Sequence, residues 1–217
     1  MNVEATRSGE LGIGQGVDEA SIDRIAHESH AKNVPADKAL ELLKAGNERY
    51  VSSGAFTGDV SAQIRQHTSQ HGQAPYAIVL ACSDSRVVPE IVFDEGIGRL
   101  FVIRVAGNVV DNHQLGSMEY AEEHLGCNLI VVLGHTGCGA VEAAIKHDPE
   151  GSIKHITDDI REAIGSETDE EVACRLNVEH TVARIERDRR IARDEDGTGM
   201  RVMGAIYHTG SGLVEFL

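Results

Sequence analysis

The stretch NLIVVLGHTGCGAVEAAIKH, residues 128–147, decides the fold class. Its first half is a continuous apolar run, which is typical of a strand buried on both faces of a parallel sheet. The glycines Gly134, Gly137 and Gly139 then allow the backbone to turn tightly. The second half has the apolar spacing of a helix. The stretch is therefore one strand–turn–helix unit, and repetition of that unit predicts an α/β fold.

Two similar units come earlier in the chain. The run YAIVLACS (76–83) leads into PEIVFDEG (89–96), and LFVIRVAG (100–107) leads into LGSMEYAEEHLG (115–126). The chain closes with RVMGAIYHTGSGLVEFL, two short strand-like runs around a glycine-containing turn, which predicts a hairpin or an edge strand. We therefore predict an α/β fold, a mostly parallel central β-sheet flanked by helices, in a single domain that spans residues 35–217.

The first part of the chain, residues 1–34, is rich in glycine and polar side chains and is predicted to be an N-terminal helical arm. A short helix is expected within residues 18–30. The segment GIGQG (12–16) has the glycines of a dinucleotide-binding loop, but no strand precedes it, so a flexible arm is favoured. Pro35 suits the first turn of the next helix, which is expected to end near Gly54.

Two further helices are predicted in the second half of the chain, at residues 152–165 and 168–191. The second is amphipathic, and its many charged residues indicate a solvated outer face with charge pairs one turn apart. Its inward-facing stripe is predicted to consist of Val172, Leu176, Val182 and Ile185.

Charge and cysteine content narrow the functional classes. The formal net charge of the 217-residue chain is −15, which argues against nucleic-acid binding because phosphate contacts need clustered Lys and Arg. No apolar run approaches the roughly 20 residues needed to cross a bilayer, so no membrane partner is expected. The N-terminus lacks the pattern of a secretory signal. The four cysteines favour a thiol or metal role in the cytoplasm over a disulfide scaffold.

Three potential metal ligands follow two of the predicted strands. Cys82 ends the first apolar run, His135 ends the third, and Cys138 comes three residues later. Because the carboxyl ends of parallel strands meet at one edge of the sheet, these side chains are expected to converge. Two thiolates and one imidazole suit Zn²⁺, and three protein ligands leave a fourth position for water. We therefore predict a catalytic site with one Zn²⁺ per chain.

Asp84 and Arg86 alternate with Cys82 in the segment CSDSR, so an extended backbone points all three side chains the same way. Two roles for Asp84 are open at this point. It could be a fourth metal ligand that closes the site, or it could accept a hydrogen bond from a zinc-bound hydroxide. Arg86 favours the second role, because a guanidinium can hold the carboxylate ionised and turned away from the metal.

The segments CSDSR, FVIRVAGNVV, GSMEYAEEHLG and VVLGHTGCGAV together resemble the β-class carbonic anhydrases, and the resemblance runs from about residue 38 to the end of the chain. It implies reversible hydration of carbon dioxide to bicarbonate and a proton by a zinc-bound hydroxide. The zinc ligands of the family fall on Cys82, His135 and Cys138. Its catalytic Asp–Arg pair falls on Asp84 and Arg86.

The resemblance also implies a substrate pocket and an assembly. Pocket residues of the family match Gln73, Phe101, Tyr120 and Gly139 of this chain. Phe101, with Val105 and Ala106, would form an apolar slot, and Gln73 would donate a hydrogen bond to the oxygen that gains charge. The family implies a homodimer or a higher oligomer, with active sites at the interface and an arm that wraps a neighbouring chain. The turn YHTGSG differs from the acidic turn common in relatives.

Two alternatives stay open on the sequence alone. A zinc hydrolase could use the same hydroxide on carbon disulfide or carbonyl sulfide, since the ligand residues do not distinguish these substrates. A non-catalytic zinc-binding or bicarbonate-binding protein is disfavoured by the intact Asp84, Arg86 and Gln73. The remaining cysteines, Cys127 and Cys174, are predicted to be buried structural thiols.

Overall fold

The computed structural model describes residues 33–188, 191 and 200–217. The predicted arm over residues 1–34 lies almost wholly outside these residues, as do the helix expected within 18–30 and the GIGQG segment. The first described residues are attached to the segment directly before the central strand of the sheet, because Asn128 Nδ2 donates to the carbonyl of Val34 at 3.0 Å.

The described strands form one five-stranded sheet in the order β2–β1–β3–β4–β5. The strands are β1 Ala77–Ala81, β2 Leu100–Arg104, β3 Leu129–His135, β4 Arg201–Tyr207 and β5 Val214–Phe216. Strands β1 to β4 are mutually parallel, and β5 pairs with β4 in the antiparallel direction. The predicted α/β class, mostly parallel sheet and C-terminal hairpin are confirmed.

Helices cover the sheet and connect its strands. They are α1 Ala36–Ser53, α2 Ala62–His71, α3 Pro89–Val92, α4 Asn112–Leu125, α5 Gly139–Lys146, α6 Ile153–Ile164 and α7 Glu170–Glu186, with a 3₁₀ turn at Ala106–Asn108. Helix α2 was not predicted from the sequence, because it buries no residue and so lacks an apolar stripe. Among the described residues, no helix is both long and apolar enough to cross a membrane.

The inner face of α7 differs from the predicted stripe. Val172 is 45% exposed, so its assignment to that face was wrong. The residues that α7 buries are Ala173, Cys174, Asn177, Val178, Thr181 and Ile185. A buried asparagine and threonine interrupt the apolar pattern of this face. The apolar periodicity therefore predicted the exposed Val172 to be buried in place of Ala173 next to it. Asn177 on this face donates to the backbone carbonyl of Gly107 at 2.8 Å, which accounts for a buried polar side chain there.

The core has two halves, one on each face of the sheet. Alternate residues of β1 divide between them: Val79 belongs to the half that includes Leu43 of α1, and Leu80 to the half that includes Met118 of α4 and Val178 of α7. Burying a side chain of this size stabilises the fold by about 1.5–3 kcal/mol. The two packed faces leave the carboxyl edge of the sheet as the place where loop residues can form a site.

Asn47 of α1 ties that helix to the loops on its side of the sheet. Its amide donates to the carbonyls of Val92 at 3.0 Å and Gly212 at 2.8 Å, and its oxygen accepts from the N–H of Val214 at 2.9 Å. The residue is 5% exposed. Asn47 is therefore a buried amide that satisfies backbone groups of the fold.

Candidate metal centre

The three predicted ligands meet at the carboxyl edge of the sheet. Cys82 directly follows β1, His135 is the last residue of β3, and Cys138 is the N-cap of α5. Their potential ligand atoms all lie within 4.8 Å of one another, and the three residues are buried. Two thiols and an imidazole at this separation are a donor set that could hold one divalent cation such as Zn²⁺.

The imidazole of His135 is oriented by the residue that follows it. Its Nδ1 lies 3.1 Å from the carbonyl oxygen of Thr136, so Nδ1 carries the proton and donates it there. Nε2 is buried and has no hydrogen-bond partner among the described residues. A buried nitrogen lone pair without a partner is costly, and a metal ion beside the two thiols would satisfy it.

The C-terminal turn supports this arrangement. Thr209 donates its N–H to Oγ1 of Thr136 at 3.1 Å, and the two threonine hydroxyls are also 3.1 Å apart. His208, in the same turn, lies 3.6 Å from a carboxylate oxygen of Glu215 on β5. The segment YHTGSG therefore stabilises the position of Thr136, whose carbonyl accepts the hydrogen bond from His135.

The sulfur of Cys82 lies among hydrogen-bond donors. It accepts the N–H of Asp84 at 3.4 Å and that of Gly107 at 3.3 Å. The pKa of Cys82 is lowered, chiefly by the neighbouring thiol of Cys138, and the two N–H groups add to the effect. The pKa of Cys138 is raised correspondingly, because its proton is held by Cys82 and because it is buried. The surroundings of Cys82 therefore favour the thiolate, the form that binds metal.

Asp84 is held by Arg86 on both of its oxygens. Arg86 Nε donates to Oδ1 at 3.0 Å and Nη2 to Oδ2 at 2.7 Å, and the backbone N–H of Arg86 adds a bond to Oδ1 at 2.9 Å. Arg86 also reaches the carbonyl of Gly137, between the ligands of the second loop, at 3.0 Å. These hydrogen bonds hold the pKa of Asp84 well below its usual value. Asp84 does not belong to the ligand cluster in the described structure.

Arg104 is a site residue that the sequence reading missed. It is the last residue of β2, and it donates to the carbonyls of Cys82 at 3.1 Å and Asp84 at 2.7 Å. The guanidinium thereby fixes the backbone of the CSDSR segment from the neighbouring strand. The sequence feature that could have identified Arg104 is a charged residue at the end of an apolar run. In the sheet it pairs with Ala81, which directly precedes the ligand Cys82.

Val105, Ala106 and Gly139 lie beside the metal centre. Val105 packs against the buried group of residues that contains Cys82 and Cys138. Ala106 begins the 3₁₀ turn, and Gly139 is the first residue of α5, directly after Cys138. These three predicted pocket residues therefore share the edge of the sheet with the ligands.

The other predicted pocket residues lie elsewhere in the same chain. Phe101 is in register with Ile78, four residues before Cys82, which corresponds to roughly 13 Å along the strand. Tyr120 stacks near Phe101, with ring centroids 6.3 Å apart, and is 48% exposed. Gln73 is exposed and precedes the amino end of β1. Within one chain, Gln73, Phe101 and Tyr120 are thus separate from the metal centre.

The remaining cysteines are buried, as predicted. Burial raises the pKa of Cys127 to about 12, and its thiol donates to the carbonyl of Pro75 at 3.3 Å. Burial likewise raises the pKa of Cys174 to about 11. Burial therefore disfavours the thiolate form of both residues.

Comparison with known proteins supports one family. The sequence model described as carbonic anhydrase matches residues 77–214. A carbonic anhydrase of Mycolicibacterium smegmatis is 39% identical over 190 residues, which cover 82% of this chain and 91% of the relative.

Solved structures agree. The β-carbonic anhydrase CafA of Aspergillus fumigatus superposes with a TM-score of 0.62 at 25% identity, covering 71% of this chain and 85% of that one. A structure from a study of two tetrameric β-carbonic anhydrases of Sordaria macrospora gives 0.61 at 26% identity, covering 72% and 90%. The chain belongs to the β-class carbonic anhydrase family.

Proposed function

We propose that this chain catalyses the reversible hydration of carbon dioxide to bicarbonate and a proton, using one Zn²⁺ held by Cys82, His135 and Cys138. The observation that carries the proposal is the cluster of three buried ligands beside a carboxylate that Arg86 holds outside it. Zn²⁺ bound there would supply a Lewis acid that lowers the pKa of water. Because two thiolates offset the charge of the ion, this pKa would lie above the near-neutral value of a site with three imidazoles, so the rate should rise toward alkaline pH.

Asp84 has the properties of a group that orients the nucleophile. Because Arg86 keeps its pKa low, the carboxylate is ionised throughout the neutral range and acts as a hydrogen-bond acceptor. Because Arg86 binds both oxygens, the carboxylate is kept from becoming a fourth ligand. Asp84 can therefore accept a hydrogen bond from the attacking oxygen and direct its lone pair toward the carbon of the substrate.

The backbone and apolar groups beside the centre suit a small linear substrate. Val105 and Ala106 offer apolar surface to neutral carbon dioxide. Gly139 places a backbone N–H at the start of α5, where it can donate to an oxygen that becomes negative during attack. A side chain at this glycine would meet no atom within 4 Å, so the space in front of it is open.

We expect carbon dioxide, and neither carbon disulfide nor carbonyl sulfide, to be the substrate that the purified zinc-loaded chain turns over. Stopped-flow hydration and a sulfide-release assay on the same sample distinguish the three. Faster release of sulfide than of bicarbonate would replace the proposed substrate with one of the sulfur compounds. Zinc uptake without turnover of any of them would favour the binding protein.

We further propose that two copies of the chain complete each site. Gln73, Phe101 and Tyr120 are remote from the metal centre of their own chain, and Tyr120 leaves half of its surface exposed. A symmetric dimer that sets this aromatic surface against the centre of a second copy would place Gln73 as a donor to the substrate. The tetrameric relatives from Sordaria macrospora are in line with such assembly.

Mixed dimers test this arrangement. Asp84→Asn and Gln73→Ala chains are each expected to be nearly inactive, but coexpression in equal amounts should restore about a quarter of the wild-type rate per chain. The reason is that each mixed dimer contains one site with both residues intact. Coexpression that restores no activity would mean that Gln73 acts within its own chain, whereas full activity of the Gln73→Ala chain alone would mean that Gln73 has no role in the site.

A cytoplasmic location stays a prediction. It is supported by the four cysteines, all of which are free thiols in the structure.

A further inference from the structure

The turn between β2 and α4 supplies a hydrogen bond to one of the candidate metal ligands. The N–H of Gly107 donates to Cys82 Sγ at 3.3 Å, and Gly107 is buried. Gly107 has a left-handed backbone with φ of 71°. A Cβ atom there would also lie 2.8 Å from Cδ1 of Ile160, so the left-handed conformation, in a tight space, favours glycine.

Gly107 needs an anchor to keep that N–H on the sulfur. A glycine has more accessible conformations than any other residue, so its own backbone does not select one of them. The carbonyl of Gly107 accepts a hydrogen bond from Nδ2 of Asn177 at 2.8 Å. Asn177 is 2% exposed and lies in the middle of α7, a helix of 17 residues. Helix α7 thus holds the turn in place through the carbonyl of Gly107.

We propose that Asn177 is a positioning residue for the Cys82 thiolate and that it acts through the backbone of Gly107. The inference rests on the proposed zinc site and adds to it a residue 95 positions away from Cys82 in the chain. By fixing the Gly107 backbone, Asn177 keeps one N–H···S bond in place. That bond draws electron density from the sulfur and holds it in the orientation that the metal needs.

Asn177→Leu tests the proposal, since leucine has a similar shape but cannot donate. We expect the zinc dissociation constant, measured against a chelator, to rise about tenfold. In the cobalt-substituted protein, the sulfur-to-cobalt charge-transfer band should move to lower energy, because the thiolate becomes more electron-rich. The matched control is Asn128→Leu, which removes another amide that donates to a backbone carbonyl, that of Val34, but lies before the amino end of β3, at the opposite end of the sheet from the ligands. It should change neither value.

A folded Asn177→Leu chain with wild-type zinc affinity and an unmoved cobalt band would overturn the inference. If that variant does not fold, the wild type decides the matter by NMR of the cadmium-substituted protein. The inference requires scalar coupling from the Gly107 amide proton to cadmium through Cys82 Sγ, and from Asn177 Nδ2 to the Gly107 carbonyl carbon. Absence of either coupling overturns it. A wild type that takes up no metal would instead remove the proposed function itself.

Discussion

The His135→Ala variant is expected to lose carbon dioxide hydration to the uncatalysed background and to bind zinc far more weakly than the wild type. The substitution removes one of three ligands, and two thiols alone leave an open, poorly defined coordination shell. It also removes the buried Nε2 that has no other partner. Zinc content after dialysis and stopped-flow hydration on the same sample measure both effects.

A surface histidine provides the control for that experiment. His155 lies on α6 and is exposed, so His155→Ala should retain both the zinc and the rate of the wild type. Retention of full activity by His135→Ala, with zinc still bound, would show that the metal centre lies elsewhere. Circular dichroism of both variants separates loss of the ligand from loss of the fold.

The Asp84→Asn variant is expected to keep its zinc but to hydrate carbon dioxide about 10²–10³ times more slowly, the range typical of losing one hydrogen bond to the reacting atoms. Asparagine has the shape of aspartate, but it is neutral and presents an N–H where the carboxylate accepted. Arg86 would also lose the charged partner that it binds on both oxygens. Stopped-flow rates, normalised to the zinc content of each sample, give the measurement.

The pH dependence of that loss follows from the direction of the pKa shift. Arg86 holds the pKa of Asp84 well below its usual value, so the carboxylate stays ionised as pH rises from about 6.5 to 9 and contributes equally throughout. The Asp84→Asn deficit should therefore be similar at both ends of this range. A deficit that disappears toward alkaline pH would contradict the orienting role.

An ion-paired carboxylate on the surface provides the comparison. Asp158 accepts from Lys154 at 3.0 Å and is half exposed, so Asp158→Asn removes a similar charge pair away from the metal centre. It should leave the rate unchanged. Loss of activity in both variants would point to a general effect of charge on the protein.

The elements that carry the ligands were predictable because strong local signals coincide there. The continuous apolar runs of β1 and β3 end at Cys82 and His135, and their parallel pairing brings these residues to one edge. The roles of the carboxylate and the guanidinium in CSDSR were also predictable, because alternate side chains of an extended chain point to the same side as Cys82.

Residues that act through backbone contacts were not predictable in this way. Arg104 and Asn177 each bind carbonyl groups of distant loops, and no local pattern records such a bond. Asn177 even weakened the helical signal, because a polar residue occupies the buried face of α7. The sequence likewise does not tell which pocket residues come from one chain, since Gln73 before β1 and Phe101 within β2 belong to the same predicted units as the ligands.

The most direct test of the central claim is a zinc titration of the metal-free protein with hydration measured at each step. Zinc is removed with a chelator, restored in known amounts, and the bound metal is counted on the same samples. We predict that the hydration rate rises in proportion to bound zinc and stops rising at one zinc per chain, with rates that increase toward alkaline pH. Full activity without zinc, or one zinc per chain with no hydration at any pH, would contradict the account.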